Sequence, residues 1–196
     1  TNTLHAYDAY NGRLLWKKPV DRFTRYASLE DGIYVAGGGR CEVLDPASGE
    51  SRASFKLEGD EGRPVFVSDI RVADDVILVA VANEKVRVIE KGLWDSTLLL
   101  ALDRKTGKTL WKHKAKERFN NSALATGAGL VFAIDSLSPI ETEKTKRRGQ
   151  TDNTTPATIM ALDARSGQVK WSQVNVTPYR VYPQEHWTGI QGNDDW

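Results

Sequence analysis

The chain has 196 residues, with 27 basic and 26 acidic side chains and a net charge of +1. That balance argues against nucleic acid as a partner, because phosphate binding leaves a basic excess. The single cysteine, Cys41, excludes an intramolecular disulfide but leaves an extracytoplasmic home open.

The length suffices for one large domain or two small ones with a real core. No run approaches the roughly 18 apolar residues of a membrane span, and no signal peptide is visible. A chain that opens at Thr1 reads as a processed form or an excised piece.

Taken from the start, residues 6–16 read A-Y-D-A-Y-N-G-R-L-L-W. The string returns at 101–111 as A-L-D-R-K-T-G-K-T-L-W and at 161–171 as A-L-D-A-R-S-G-Q-V-K-W. At Val43 it reads V-L-D-P-A-S-G-E-S-R-A, keeping Asp45 and Gly49 but losing the alanine and the tryptophan. Internal repeats of this kind set the architecture before any other signal. In each copy an apolar strand leads into the Asp, and a second strand follows the Gly. Asp8, Asp45, Asp103 and Asp163 are expected to accept hydrogen bonds from turn N–H groups. Gly12, Gly49, Gly107 and Gly167 are expected to take the positive φ that closes a three-residue hairpin loop. These residues read as turn chemistry, not catalysis.

Trp16, Trp111 and Trp171 need another reason. A large aromatic at the same point of each hairpin has a repeated surface to cover, and each is predicted to lock one unit against the next. Small residues such as Ala101 leave room for a ring from the neighbour. Phe55 stands near the missing tryptophan, and that junction is expected to be weaker.

Upstream of three hairpins lies a second pattern of strand, tight turn and apolar strand, at 28–37, 71–80 and 124–133. Each full unit is then four antiparallel strands, A to D. Asp74–Asp75 fall in an A–B turn and read as turn residues rather than a metal pair. The predicted fold is all-β, a β-propeller of about three and a half four-stranded blades. Its parts are a half blade at 1–20, blades at 21–59, 60–117 and 118–175, and a tail or start of a further blade at 176–196. Three and a half blades do not close a ring of usual size. Either the chain is a piece of a longer propeller, which is favoured, or the tail completes the first unit, or two chains share a ring. Open blade edges favour self-association.

Insertions fall between strands B and C: G-G-G-R at 37–40, then 83–96, then 136–156. B–C loops share one face of a propeller, which marks that face as the binding face. Trp94 and the basic cluster Lys144, Lys146, Arg147 and Arg148 are its candidate binding residues, each also readable as ordinary loop.

The A-x-D-x-x-(T/S/N)-G-x-x-x-W pattern resembles the tryptophan-docking motif of pyrroloquinoline quinone (PQQ)-like propeller repeats. That family holds quinoprotein dehydrogenases and also cofactor-free scaffolds of outer-membrane protein assembly. The resemblance implies a periplasmic or otherwise extracytoplasmic, bacterial protein. In quinoprotein dehydrogenases a calcium ion beside the quinone is held by Glu, Asn and Asp, often with adjacent cysteines nearby. No such set maps onto this chain, so no cofactor and no metal site is expected. His5, His113 and His186 lack metal-ligand spacing. No nucleophile elbow or phosphate loop appears. The expected function is a noncatalytic scaffold whose partner is another protein or further blades. The alternative is a fragment of a PQQ-dependent dehydrogenase, completed by blades outside this chain and carrying PQQ with calcium.

Overall fold

The computed structural model describes residues 2–21, 24–59, 65–82, 95–137, 148 and 156–175. Among these there is no α-helix, and all regular structure is antiparallel strand apart from one short 3-10 turn at Asn121–Ala123. The first unit is a two-stranded hairpin, β1 (Asn2–Tyr7) with β2 (Leu14–Val20). The second is a four-stranded sheet in chain order: β3 (Arg25–Leu29), β4 (Gly32–Gly37), β5 (Arg40–Leu44) and β6 (Ser51–Lys56). The third comprises β7 (Phe66–Ala73), β8 (Val76–Ala82), β9 (Asp95–Asp103) and β10 (Thr109–Asn120). The fourth comprises β11 (Ala125–Gly127), β12 (Leu130–Ser136), β13 (Ala157–Asp163) and β14 (Val169–Asn175).

Period-two alternation explains the core. In β8 every residue is buried, a continuous apolar run that fits a strand covered on both faces. Ile77, Val79 and Val81, with Leu98, Leu100 and Leu102 of β9, pack toward Tyr34, Ala36, Cys41 and Val43 of the second unit. Val76, Leu78 and Ala80, with Leu99, Ala101 and Phe119, pack toward Val131, Ala133, Met160 and Leu162 of the fourth. The third unit is thus sandwiched between its neighbours. The first hairpin contributes no fully buried residue. This is the face-to-face stacking of propeller blades.

Two details differ from the sequence expectation. Asp95 and Ser96 begin strand β9, so they are not part of the inserted loop. Ser96 is buried and donates its hydroxyl to Asn121 Oδ1 at 2.9 Å.

The expected boundary at 117/118 also falls within one continuous strand. Strand β10 runs on to Asn120, and Arg118 and Phe119 pair with Ser136 and Asp135 of β12. The 3-10 turn then interrupts the edge before β11 takes up pairing with the other end of β12. Asp135 explains the continuation. Its buried carboxylate accepts from the N–H groups of Lys116, Glu117 and Arg118 at 2.6, 2.9 and 3.0 Å, tying the end of one unit to the second strand of the next.

Candidate functional site

The repeated turn is built the same way each time. Asp8, Asp45, Asp103 and Asp163 each use Oδ1 to accept from the two N–H groups that lie two and three residues on, at 2.8–3.2 Å. The glycine N–H then closes onto the aspartate carbonyl at 2.8 Å in all four copies. At Gly12, Gly49, Gly107 and Gly167 φ lies between 68° and 73°, the left-handed region where a β-carbon is strained.

The Asn/Ser/Thr before each glycine has a duty that spacing alone did not reveal. Its side-chain oxygen accepts from the N–H two residues on: Asn11 from Arg13, Ser48 from Glu50, Thr106 from Lys108 and Ser166 from Gln168, at 2.8–3.4 Å.

Amide donors stabilise the charged form of a carboxylate. The Ser48 amide leads in holding Asp45 below the usual range, and the Thr106 amide and hydroxyl do the same for Asp103. With the Ser166 amide and hydroxyl and then Lys170 beside it, Asp163 is lowered to about 2.

The tryptophans reach across units. Trp16 donates its indole N–H to Pro46 O at 2.9 Å, and Trp111 donates to Ala164 O at 2.8 Å. In both cases the acceptor is the residue after the next unit's motif aspartate. Each ring lies on that unit's glycine. A Cβ added at Gly49 would stand 2.6 Å from Trp16 Cδ2, and one added at Gly167 would stand 2.6 Å from Trp111 Cγ. The glycine therefore serves twice, closing its own turn and leaving its face bare for the neighbour's indole.

Phe55 takes the corresponding place against Gly107, without an N–H to donate. There a side-chain cluster is added. Arg104 Nε donates to the hydroxyl of buried Tyr34 at 2.7 Å, and that hydroxyl donates to Asp31 at 2.9 Å. Arg104 also pairs with Asp31 and donates to Asp74 O at 2.8 Å. One junction further on, Arg165 reaches Asp75 and Asp103 at 3.2 and 3.3 Å. Asp75 thus lies in an A–B turn, engaged with the neighbouring unit.

The alanine of the motif has a nearer role than expected. Ala6, Ala101 and Ala161 stand directly opposite Trp16, Trp111 and Trp171 of their own hairpins. Their small side chains sit beside the ring of the same unit.

Trp171 differs from the other two tryptophans. It is 47% exposed against 9% for Trp111, and its ring neighbour is Phe132 of its own unit, 6.4 Å away between centroids. It locks no second unit among the described residues. Gly12 is its counterpart at the other end: a Cβ there would meet nothing within 4 Å.

Where first strands of neighbouring units approach, Arg25 of β3 donates to Ser68 O of β7 at 3.0 Å. Burial pushes the Asp69 carboxyl up against the pull of Arg71, which donates to it at 2.8 Å. Among the described residues no three His, Cys, Asp or Glu side chains gather where a metal could sit. Trp94, Lys144, Lys146 and Arg147 lie outside the described residues, and Arg148 is an exposed turn residue.

Glycine-backed turns, cross-unit indoles and stacked antiparallel units define a β-propeller built from PQQ-like repeats. The family model described as outer membrane protein assembly factor BamB matches residues 1–183, and the chain belongs to that family. No curated protein matches it.

Among solved structures it is similar to BamB from Moraxella catarrhalis, at 17% identity over 87% of this chain and 42% of that one, with a TM-score of 0.52. It is also similar to quinohemoprotein alcohol dehydrogenase from Comamonas testosteroni, at 17% identity over 87% and 32%, with a TM-score of 0.58. Kuenenia stuttgartiensis hydrazine synthase shares the fold at 13% identity over 88% and 43%, again with a TM-score of 0.58. The chain spans less than half the length of each of these. No helix among the described residues is long and apolar enough to cross a membrane.

Proposed function

We propose that the chain is a noncatalytic propeller scaffold that binds another protein outside the cytoplasm. The observation that carries this reading is the use to which the repeat's chemical groups are put. All four motif aspartates are spent on their own turn amides, buried Asp135 is spent on three amides of β10, and Trp16 and Trp111 are spent on docking. Membership of the BamB family supports both the scaffold role and the location. The binding face in this reading carries the segments that join β8 to β9 and β12 to β13, with Trp94, Lys144, Lys146, Arg147 and Arg148 as its contact residues.

Titration of the chain with PQQ and calcium, read by quinone absorbance and tryptophan fluorescence, tests the reading. The expected outcome is no saturable change. Saturable binding at micromolar or tighter affinity favours the alternative, a fragment of a PQQ-dependent dehydrogenase whose site is completed by other blades. The shared fold with quinohemoprotein alcohol dehydrogenase is what keeps that alternative in play.

A further inference from the structure

The outer strand of the third unit carries a row of exposed lysines along an open backbone edge. Residues 104–118 hold seven basic side chains and one acidic, Glu117, in a chain whose net charge is +1. Lys105, Lys108, Lys112, Lys114 and Lys116 are all exposed. Within β10 exposure alternates, with His113, Ala115 and Glu117 less exposed than the lysines between them. Lys112 and Lys114 therefore share one face, roughly 7 Å apart along the strand. On the other outer strands and at their ends the cations stand beside carboxylates of this chain: Lys18 with Glu42 at 2.8 Å, Arg52 with Asp45, Lys56 with Glu58 at 3.3 Å and Lys170 with Asp163 at 3.2 Å. Among the described residues no carboxylate pairs with Lys105, Lys108, Lys112 or Lys116. Lys112 donates instead to a neutral carbonyl, Gly59 O, at 2.9 Å. The backbone edge is open as well. Among the described residues Thr109–Lys114 pairs with β9 on one side only, and β12 takes up just Arg118 and Phe119.

We propose that this edge receives an extended acidic segment of a partner protein as an added strand, with carboxylates at alternate positions facing the lysines. An open edge offers N–H and C=O groups to any extended chain, and lysines on it discourage pairing with ordinary strands. The same lysines favour a strand whose acidic residues repeat with a period of two, because side chains directly opposite on an added strand lie close enough to interact. Backbone bonds then supply affinity, and charge selects the partner. The Lys116 N–H is already committed to Asp135 at 2.6 Å. The added strand therefore runs along Thr109–Lys114 and ends where β10 leaves regular pairing with β9. Lys105 and Lys108 extend the positive charge at the turn end of the strand. A chain that binds PQQ has the same edge, so this proposal and the scaffold reading fail separately.

The probe is a short synthetic peptide in which glutamate alternates with threonine, carrying a fluorophore and titrated with the full chain by anisotropy. Saturable binding is expected at about 10 to 100 µM in low salt, weakened about tenfold or more at about 0.5 M salt. The combined variant Lys108→Gln, Lys112→Gln and Lys116→Gln is expected to bind about tenfold more weakly or less, with an unfolding midpoint close to the parent's. The single change Lys116→Glu, at an exposed side chain, is expected to weaken binding in the same direction, which keeps the test open if the combined variant is unstable. Three further peptides separate an added strand from plain charge attraction. One has the same composition with its glutamates in a block, and is expected to bind about tenfold more weakly. The other two are N-methylated at every threonine or at every glutamate. An added strand turns only alternate N–H groups toward β10, so one of these two is expected to lose binding and the other to keep it. Three results overturn the proposal: no saturable binding below about 1 mM, equal binding by both lysine variants, or equal binding of all the altered peptides.

Discussion

Trp111 and Trp171 occupy the same position of the same motif, opposite the same alanine, yet one is buried and hydrogen-bonded to the next unit while the other is half exposed. The motif therefore encodes half of a contact. Its energy depends on whether a glycine turn from another unit is present to receive the ring. Among the described residues the first unit has a glycine turn on which no ring sits, and the last has a ring that sits on no glycine turn.

The sharpest way to break this comparison is to truncate both rings. Trp111→Ala is expected to cost about 3 to 5 kcal/mol, as for other buried large aromatics. Trp171→Ala, measured by urea unfolding, is expected to stay within about 0.5 kcal/mol of the parent, as for surface substitutions. A loss below about 1 kcal/mol at Trp111 would remove the docking role from that ring.

The glycines supply the reciprocal test. Gly167→Val and Gly12→Val suffer similar backbone strain, since both positions have φ near 70°, but only Gly167 faces a ring. The first is expected to cost about 1 to 3 kcal/mol more than the second, the usual range for overpacking, with denaturant midpoints as the readout. Equal losses would mean that the glycine matters only for its own turn.

The junction with Phe55 in place of tryptophan sharpens the picture differently. It lacks an indole donor, and the Arg104–Tyr34–Asp31 cluster adds polar contacts at the same interface. Arg104→Met keeps the stem and removes the bonds, so it is expected to cost about 1 to 2 kcal/mol by leaving the buried Tyr34 hydroxyl short of a donor. Unchanged stability would place that junction's strength in the Phe55 ring alone.

The smallest effect is a pH dependence. Folding lowers the carboxyls of Asp45, Asp103 and Asp163, the last to about 2. A group lowered in the folded state contributes stability above its unfolded value and loses it as protons bind the native state. Stability should fall as pH drops from about 4 toward 2, more steeply in the parent than in Asp163→Asn. Asp69, raised by burial, works in the opposite sense, and does so above about pH 4, between its raised value and that of an unfolded carboxyl.

The turn chemistry was legible in the sequence because its donors and acceptors lie within five residues of one another. That the rings lie between units was legible from the repeat, since a large aromatic at the same point of each hairpin has a repeated surface to cover. Three things were not. The serine, threonine or asparagine before each glycine has a duty that composition does not distinguish from a general turn preference. The run from Thr109 to Asn120 keeps strand-like alternation throughout, so nothing local marks where the third unit yields to the fourth. The carboxylate that decides this, Asp135, lies two strands further along the chain, in β12. The exposure of Trp171 depends on what stands beyond it, and an identical motif cannot report that.

The continuity of β10 into the pairing of β12 has a mechanical consequence. In an array of repeats, stability is a sum of unit terms and nearest-neighbour couplings. Here the couplings are unequal. Among the described residues the second and third units meet through side chains, whereas the third and fourth also share a hydrogen-bonded ladder and the Asp135 clamp. Pulled or heated, the chain should part first at the side-chain seams and leave its last two repeats as one block.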